Sequence, residues 1–290
     1  MSESQEQRLG PVPPGAPSSP NRTRHLLDGL SLRRDRGLEI APLNRATVEK
    51  TEGEILYLDR LSRDELVKVH AGSPFFKESE VLPVDIALGD KSIGTVLAGQ
   101  TFDYILASHV VEHIPDLVTW FAELSSILQP AGSIRLAVPD RRFTFDYLRK
   151  ESKTSEVLTA YALKAVSPTP LSILDHYLNV RAVDFVAAWN GPLDPASLTA
   201  FHTPDFAIEQ AREAARNHIY PEVHCWAFTP KSFADVFGDL AEIGLLDFEC
   251  AALPPTEPYT FEFFVTLKKC PDRARATASW RAAAAALPKT

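Results

Sequence analysis

The chain has only three cysteines, Cys225, Cys250 and Cys270, an odd number without paired spacing. That excludes a disulfide framework and a zinc knuckle, and it suits a reducing compartment. No apolar run reaches the length of a membrane span, and the N-terminus lacks the hydrophobic stretch of a signal peptide, so the cytoplasm is the expected location. Positive charge is in deficit: 30 Lys and Arg against 38 Asp and Glu give a formal net charge of -8. A nucleic-acid partner is disfavoured, because phosphates need a clustered basic surface and the arginines here are scattered. No internal repeat suggests a solenoid or propeller. A G-x-G-x-x-G loop is missing as well, which counts against close passage of a pyrophosphate and therefore against a nicotinamide dinucleotide.

What is present, in 290 residues, is enough chain to bury one full core. Up to about Pro20 the composition is Pro, Gly, Ser, Gln and Glu, too poor in aliphatics to offset its ordering entropy, and a disordered tail is expected. Residues 21–270 form the expected domain, and 271–290, with Arg and an alanine run, read as a C-terminal tail or frayed helix. Inside the domain, short apolar runs (Gly37 to Ala41, Ile55 to Leu58, Phe102 to Ser108, Ser133 to Val138) alternate with segments of helical period. That alternation predicts an α/β fold, a doubly wound and mostly parallel seven-stranded sheet.

After Pro115 and Asp116, the stripe Leu117, Trp120, Phe121, Leu124, Ile127 and Leu128 predicts a helix that ends at Pro130 and Gly132. A second helix is expected from the cap Thr229 and Pro230 to Gly244. Strands near Asp247 to Ala252 and Phe261 to Leu267 follow, joined by a proline-rich linker too short for a crossover, hence an antiparallel edge pair. Residues 143–224 exceed what one crossover needs. They read as a helical insert between strands 5 and 6, with helices Ser155 to Ala165, Leu171 to Val180 and Thr203 to His218 placed to cover the carboxyl ends of the strands, where open α/β sheets bind ligands.

The first strand and turn read Gly37-Leu38-Glu39-Ile40-Ala41-Pro42-Leu43-Asn44, and Asp59 closes the second apolar run about twenty residues after Glu39, where an acid can take both hydroxyls of a ribose. The run Phe102-Asp103-Tyr104-Ile105-Leu106-Ala107-Ser108-His109-Val110-Val111-Glu112-His113-Ile114-Pro115-Asp116 resembles the fourth-strand segment of class I S-adenosylmethionine-dependent methyltransferases of the type 11-like group. It continues into Leu128-Gln129-Pro130-Ala131-Gly132, similar to that family's turn before the fifth strand, with Ala131 in place of a glycine. Gly37 to Asn44 resembles a reduced form of the family's glycine-rich first motif. Pro139-Asp140-Arg141-Arg142-Phe143 and Val223-His224-Cys225-Trp226-Ala227-Phe228-Thr229-Pro230 resemble an uncharacterised branch associated with sugar and cell-surface glycan biosynthesis.

The resemblance implies S-adenosylmethionine as cofactor and methyl transfer to a small polar acceptor, a sugar or another hydroxyl-bearing metabolite. It places Glu39 and Ile40 by the first turn near the methionine end, Ala41 and Leu43 under the cofactor, Asp59 on the ribose, Asp85, after a third strand, near the adenine, and Ser108 at the end of the fourth strand. Ala41 departs from the family's glycine, and Pro42 and Asn44 stand in a loop usually richer in glycine.

A hydroxyl acceptor needs a base poised near neutral pH, which histidine supplies. His109 is the first candidate and His224 the second, with Asp140 and Arg142 placed either to orient the acceptor or to pair with each other. His109 to His113 also spell H-x-x-E-H, an inverted zinc-protease signature, but Pro115 follows closely and the motif leaves a buried strand, so no metal is expected. A dehydrogenase or nucleotide-sugar enzyme is the weaker enzymatic alternative. The non-enzymatic alternative is an inactive methyltransferase-fold subunit that binds glycan or scaffolds a glycosyltransferase.

Overall fold

The computed structural model describes residues 19–71, 77–217 and 219–288. The tail read over residues 1–20 lies outside them apart from Ser19 and Pro20. Seven strands, β1 (Gly37–Ile40), β2 (Ile55–Asp59), β3 (Ile86–Ala87), β4 (Phe102–Ser108), β5 (Leu128–Pro139), β6 (Phe248–Ala252) and β7 (Glu262–Lys269), form one sheet in the order β3-β2-β1-β4-β5-β7-β6. The first five run parallel, and β7 runs antiparallel to both β5 and β6. This is the doubly wound, mostly parallel seven-stranded α/β sheet expected from the sequence, closed by an antiparallel edge pair.

Both faces of the sheet are covered, which is why its central strands carry apolar residues on both faces rather than alternating apolar with polar. In β4, Ile105 and Ala107 enter the main core with Leu38, Ile40 and Leu58, while Tyr104 and Leu106 enter a second core on the opposite face with Val48, Ile55 and Tyr57. Gly37 is required at the start of β1, because a Cβ there would lie 2.3 Å from the Tyr104 ring.

Ten helices accompany the strands: α1 (Arg22–Leu27), α2 (Arg63–His70), α3 (Ile93–Val96), α4 (Leu117–Ile127), α5 (Thr154–Ala162), α6 (Pro170–Asn179), α7 (Phe185–Asn190), α8 (Pro204–Asn217), α9 (Pro230–Ile243) and α10 (Arg273–Ala286) among the described residues. Asp116 caps α4 by accepting from the Thr119 amide at 3.0 Å. The expected stop at Pro130 and Gly132 is not where α4 ends. It ends at Ile127, and the chain passes directly into β5, because Leu128 already pairs with Phe102 across a register irregularity that leaves Pro130 and Ala131 exposed. In α9, Thr229 accepts from the Ser232 amide at 3.2 Å and Gly244 closes the helix at φ 86°.

Two further differences from the sequence reading concern the insert and the C-terminus. Only α6 to α8 stand apart: α6 and α8 pack on each other through Ile173, Tyr177, Ala207, Ala211 and Ala214, a cluster of its own. Helix α5 belongs to the main layer, since Val157 and Ala160 join the sheet's core. The segment read as a C-terminal tail is the packed helix α10. Its spacing Ala276, Trp280, Ala284 puts one large ring and two small residues on a single face, and the Trp280 indole, fully buried, lies beside Phe237 and donates to the Phe248 carbonyl at 2.9 Å. The sheet edge is therefore completed by α10, and Trp280→Ala is expected to lower unfolding stability by about 3–5 kcal/mol in urea titrations. A change under about 1 kcal/mol would return α10 to the status of a tail.

Candidate functional site

Apart from Asp85, the predicted site residues gather around the carboxyl ends of β1, β2, β4 and β5, in two neighbouring regions, with His224 brought there from the segment before α9. The first is the loop after β1. Ala41 (φ 52°) and Leu43 (φ 46°) both adopt the left-handed conformation that favours glycine. The loop thus keeps a glycine-type path with side chains that strain it, at about 1–2 kcal/mol for each residue. Strain of this kind persists only where surrounding structure holds it. Here the holding group is Glu39, the buried residue at the base of the loop: its carboxylate accepts from the Thr47 amide at 2.8 and 3.0 Å and the Val48 amide at 3.3 Å. Burial pushes the Glu39 carboxyl upward in pKa, and these amides pull against that shift.

Asp59 ends β2 beside this loop, buried, with Oδ1 accepting from the Leu61 amide at 3.0 Å. Burial raises its pKa, and Glu222 adds to the rise. Ile40 is registered with Ala107 of β4, so Ser108 follows next to the start of the loop, and its buried hydroxyl has no partner among the described residues. Asp85 is elsewhere. It precedes β3 rather than following it, and its carboxylate is held by Lys50 Nζ at 2.5 Å and by the Tyr57 amide at 2.7 Å. The third strand is only the pair Ile86–Ala87, so the sequence-based placement near an adenine came from misplacing that strand.

The second region is a cavity of about 120 Å³ beyond β4 and β5, with His109, Glu112, His113 and His224 among its walls together with the rings of Phe143 and Phe261. The sequence brings His224 there from 111 positions beyond His113 by a backbone clamp. The His113 ring donates from Nδ1 to the Val223 carbonyl at 3.1 Å, and the Cys225 amide donates to the Glu112 carbonyl at 2.6 Å. Tyr220 and Trp226 add donors to the His113 and Ile114 carbonyls, at 2.8 and 2.6 Å. His113 and His224 meet edge to face with ring centroids 4.7 Å apart.

His109, at φ 54°, is held between two buried carboxylates: Nε2 lies 2.9 Å from Glu262 and Nδ1 3.5 Å from Glu112. Burial pulls the imidazole pKa down, but the neighbouring carboxylates of Glu112 and Glu262 outweigh it and raise His109 to about 9. Glu262, which also takes an ion pair from Arg22, falls to about 2, its own burial penalty outweighed by the His109 bond. His109 is therefore an imidazolium at neutral pH, not the poised base expected of it. Asp140 and Arg142 pair with each other: Arg142 Nη2 is 2.6 Å from Asp140, whose same oxygen accepts from Thr256 at 2.6 Å, and Asp140 is fully buried. Of the two roles considered for this couple, the pairing is the one its geometry serves.

The sequence singled out none of the groups behind His224. Its Nδ1 donates to Asp146 at 2.6 Å, Asp146 pairs with the buried Arg149 at 2.9 Å, and Arg149 reaches Asp175 at 2.8 Å. Although burial opposes it, His224 and Arg149 hold Asp146 well below the usual carboxylate range. His176 accepts the His224 amide on Nδ1 at 3.3 Å, and burial, reinforced by Arg149, keeps it neutral. Nothing in the residue pattern marks Asp146, Arg149 or His176, whereas Glu112 and His113 stood in the H-x-x-E-H run all along.

No protein-family model matches the chain, and no curated protein matches it. Among solved structures it is similar to one from Rhodobacter sphaeroides named as a Zn-dependent alcohol dehydrogenase (12% identity, 88% of this chain and 91% of that one, TM-score 0.46). It is also similar to S-adenosylmethionine-dependent methyltransferases from Mesorhizobium loti (11% identity, 86% and 96% covered, TM-score 0.43) and Clostridium acetobutylicum (10% identity, 86% and 90% covered, TM-score 0.43). At these identities and TM-scores none of the three carries an argument about activity. No helix among the described residues is long and apolar enough to cross a membrane.

The His109 environment has a consequence for stability. A folded-state pKa of about 9, above the unfolded value of about 6.5, means the folded chain holds a proton that the unfolded chain releases. This contribution is complete below pH 6.5 and is lost as pH rises through 9. The stability difference between the protein and His109→Gln should accordingly shrink from pH 6.5 to pH 9.5 in urea titrations. A difference that is constant over that window would place the His109 proton elsewhere.

Proposed function

We propose that this chain is an S-adenosylmethionine-dependent methyltransferase acting on a small hydroxyl-bearing acceptor. The observation that carries the reading is the strained β1 loop: left-handed backbone at Ala41 and Leu43, at the carboxyl end of the first strand of a doubly wound sheet and beside the terminal acid of β2. Ligands of such sheets bind at this end, in the crevice between neighbouring strand termini. A nucleoside without a pyrophosphate needs less clearance than a dinucleotide, which fits a loop that keeps the glycine path but carries a methyl group at Ala41. The orphaned hydroxyl of Ser108, buried at the edge of the same crevice, is the kind of group a bound ligand satisfies.

On this reading Asp59 would hold the ribose hydroxyls and the loop from Ala41 would hold the methionine end, while Glu39 acts on the loop rather than on the ligand. S-adenosylmethionine, when bound, supplies an electrophilic methyl group. The acceptor would occupy the cavity between His109 and His224, whose size admits a small molecule or one ring of a larger one. Its aromatic walls, Phe143 and Phe261, suit the apolar face of a sugar or an aromatic ring. His109, charged at neutral pH, donates rather than accepts a proton bond. The acceptor's proton would therefore fall to the pair His113 and His224, whose Nδ1 atoms are both engaged as donors, so that each ring in its neutral form presents its lone pair on Nε2.

Calorimetric titration with S-adenosylmethionine and S-adenosylhomocysteine tests the reading. Binding of both is expected, weakened at least tenfold, about 1.4 kcal/mol, in Asp59→Ala. Binding of neither would remove methyl transfer and leave a non-catalytic subunit on this fold.

A further inference from the structure

We propose that Glu112, His113 and His224 form a binding site for one divalent transition-metal ion of the zinc or iron(II) type, at the wall of the acceptor cavity. One carboxylate oxygen and one ring nitrogen from each histidine already lie within 4.8 Å of one another. A tetrahedral ion with bonds of about 2.0–2.1 Å holds its ligand atoms about 3.3 Å apart, so closure needs side-chain shifts of only about 1 Å.

Three features separate this group from an ordinary buried polar cluster. The first is the state of the two imidazoles. A carbonyl can only accept, so the His113 bond to Val223 fixes its proton on Nδ1, and the ionised Asp146 does the same for His224. The lone pair of each neutral ring therefore lies on Nε2, and that tautomer is the form that ligates a metal through Nε2. The third buried histidine, His176, differs in this respect, since its Nδ1 is occupied as an acceptor.

The second feature is the support behind the rings. His113 leans on a backbone carbonyl and His224 on a carboxylate that is itself fixed by Arg149. Backbone carbonyls and carboxylates are the usual outer partners of metal-bound histidine, where they orient the ring and raise its basicity.

The third is charge. Glu262 has both Arg22 and His109, and Asp146 has the Arg149 guanidinium and the His224 N–H, but among the described residues Glu112 has only His109 at 3.5 Å, the same cation that Glu262 already binds. Glu112 is 1% exposed, yet among the described residues neither of its carboxylate oxygens accepts a hydrogen bond. A buried, ionised and unbonded carboxylate is costly unless a cation meets it. Two neutral imidazoles within reach of that carboxylate supply the rest of the coordination sphere.

Two nitrogens and one oxygen select a borderline transition metal over magnesium or calcium, which take oxygen sets. Three protein ligands leave at least one position, and the cavity adjoins it. Given the methyl-transfer reading, and only for this consequence, an acceptor hydroxyl on that position would lose its proton more easily, as metal-bound water does. His113 and His224 would then act on the acceptor through the ion rather than directly. Metal binding itself does not depend on that reading.

The test uses the full chain, stripped with chelator and titrated calorimetrically with Zn²⁺, and separately with Fe²⁺ under anaerobic conditions, in the absence of S-adenosylmethionine. One equivalent per chain is expected to bind. His113→Gln, His224→Gln and Glu112→Gln should abolish that event, and Asp146→Asn, which leaves all three ligands in place, should weaken it by about 10–100-fold. Cys250→Ser should bind as the parent does, and circular dichroism of each variant identifies any that fail to fold. Binding that is absent, or equally strong in the three ligand variants and the parent, would overturn the site. S-adenosylmethionine binding without metal binding would sink this inference alone, and metal binding without S-adenosylmethionine binding would sink only the methyl-transfer reading.

Discussion

The site depends on one backbone junction: the docking of Val223 to Phe228 against the turn that leaves β4. The amides of Cys225 and Trp226 both reach the Glu112 carbonyl, and the Ala227 amide takes the Ser152 hydroxyl at 2.9 Å. Through this junction the end of a long insert is delivered to the mouth of a parallel sheet with its register fixed. The meeting of Glu112, His113 and His224 follows from that register. Moving His224 one residue along the chain would turn its ring away from His113 and strip Asp146 of its partner, leaving the buried Arg149 to balance it alone. The junction therefore sets the charge balance of the interior as well as its shape.

Strain is concentrated beside that junction. Left-handed backbone at Ala41, Leu43 and His109 lies at the ends of β1 and β4, adjacent strands of the sheet. A chain selected only for stability would place glycine there, and retained strain at strand termini facing a ligand crevice is characteristic of functional sites. The compensation is visible residue by residue: Glu39 holds the β1 loop through two amides, and Glu262 with Arg22 holds His109. Helix α1, which supplies Arg22, is thus part of the site although it lies at the other end of the sequence. His25 on the same helix stacks on Phe264 of β7 and bonds Glu257, which fixes Arg22 in place.

Much of the fold was legible because its signals are local. Strand β4 is a continuous apolar run, α4 follows with a clean helical stripe and an Asp cap, and α9 is bracketed by Thr229-Pro230 and Gly244. The misreadings share a cause in weak local contrast. Strand β3 has two residues and leaves no periodicity to find, which displaced Asp85. Helix α10 hides a single decisive Trp280 in an alanine-rich background, where the apolar face differs little from the rest. Within the site, Asp59, His109 and His224 could be picked out as chemically capable residues near strand ends. Their surroundings could not, because His109 is held by Glu262, and the His224 ring by Asp146, through contacts that span the fold. Asp146 and Arg149 look in sequence like any surface pair of opposite charge, and only burial makes them the support behind His224.

The central claim is that the β1 crevice and the histidine cavity are two halves of one site, cofactor in the first and acceptor in the second. A crystal structure grown with S-adenosylhomocysteine tests it most directly. The account predicts the ribose on Asp59 and the amino-acid end over the loop from Ala41, with the sulfur turned toward the cavity lined by His109 and His224. The nucleoside bound anywhere else, or its sulfur turned away from that cavity, would contradict it.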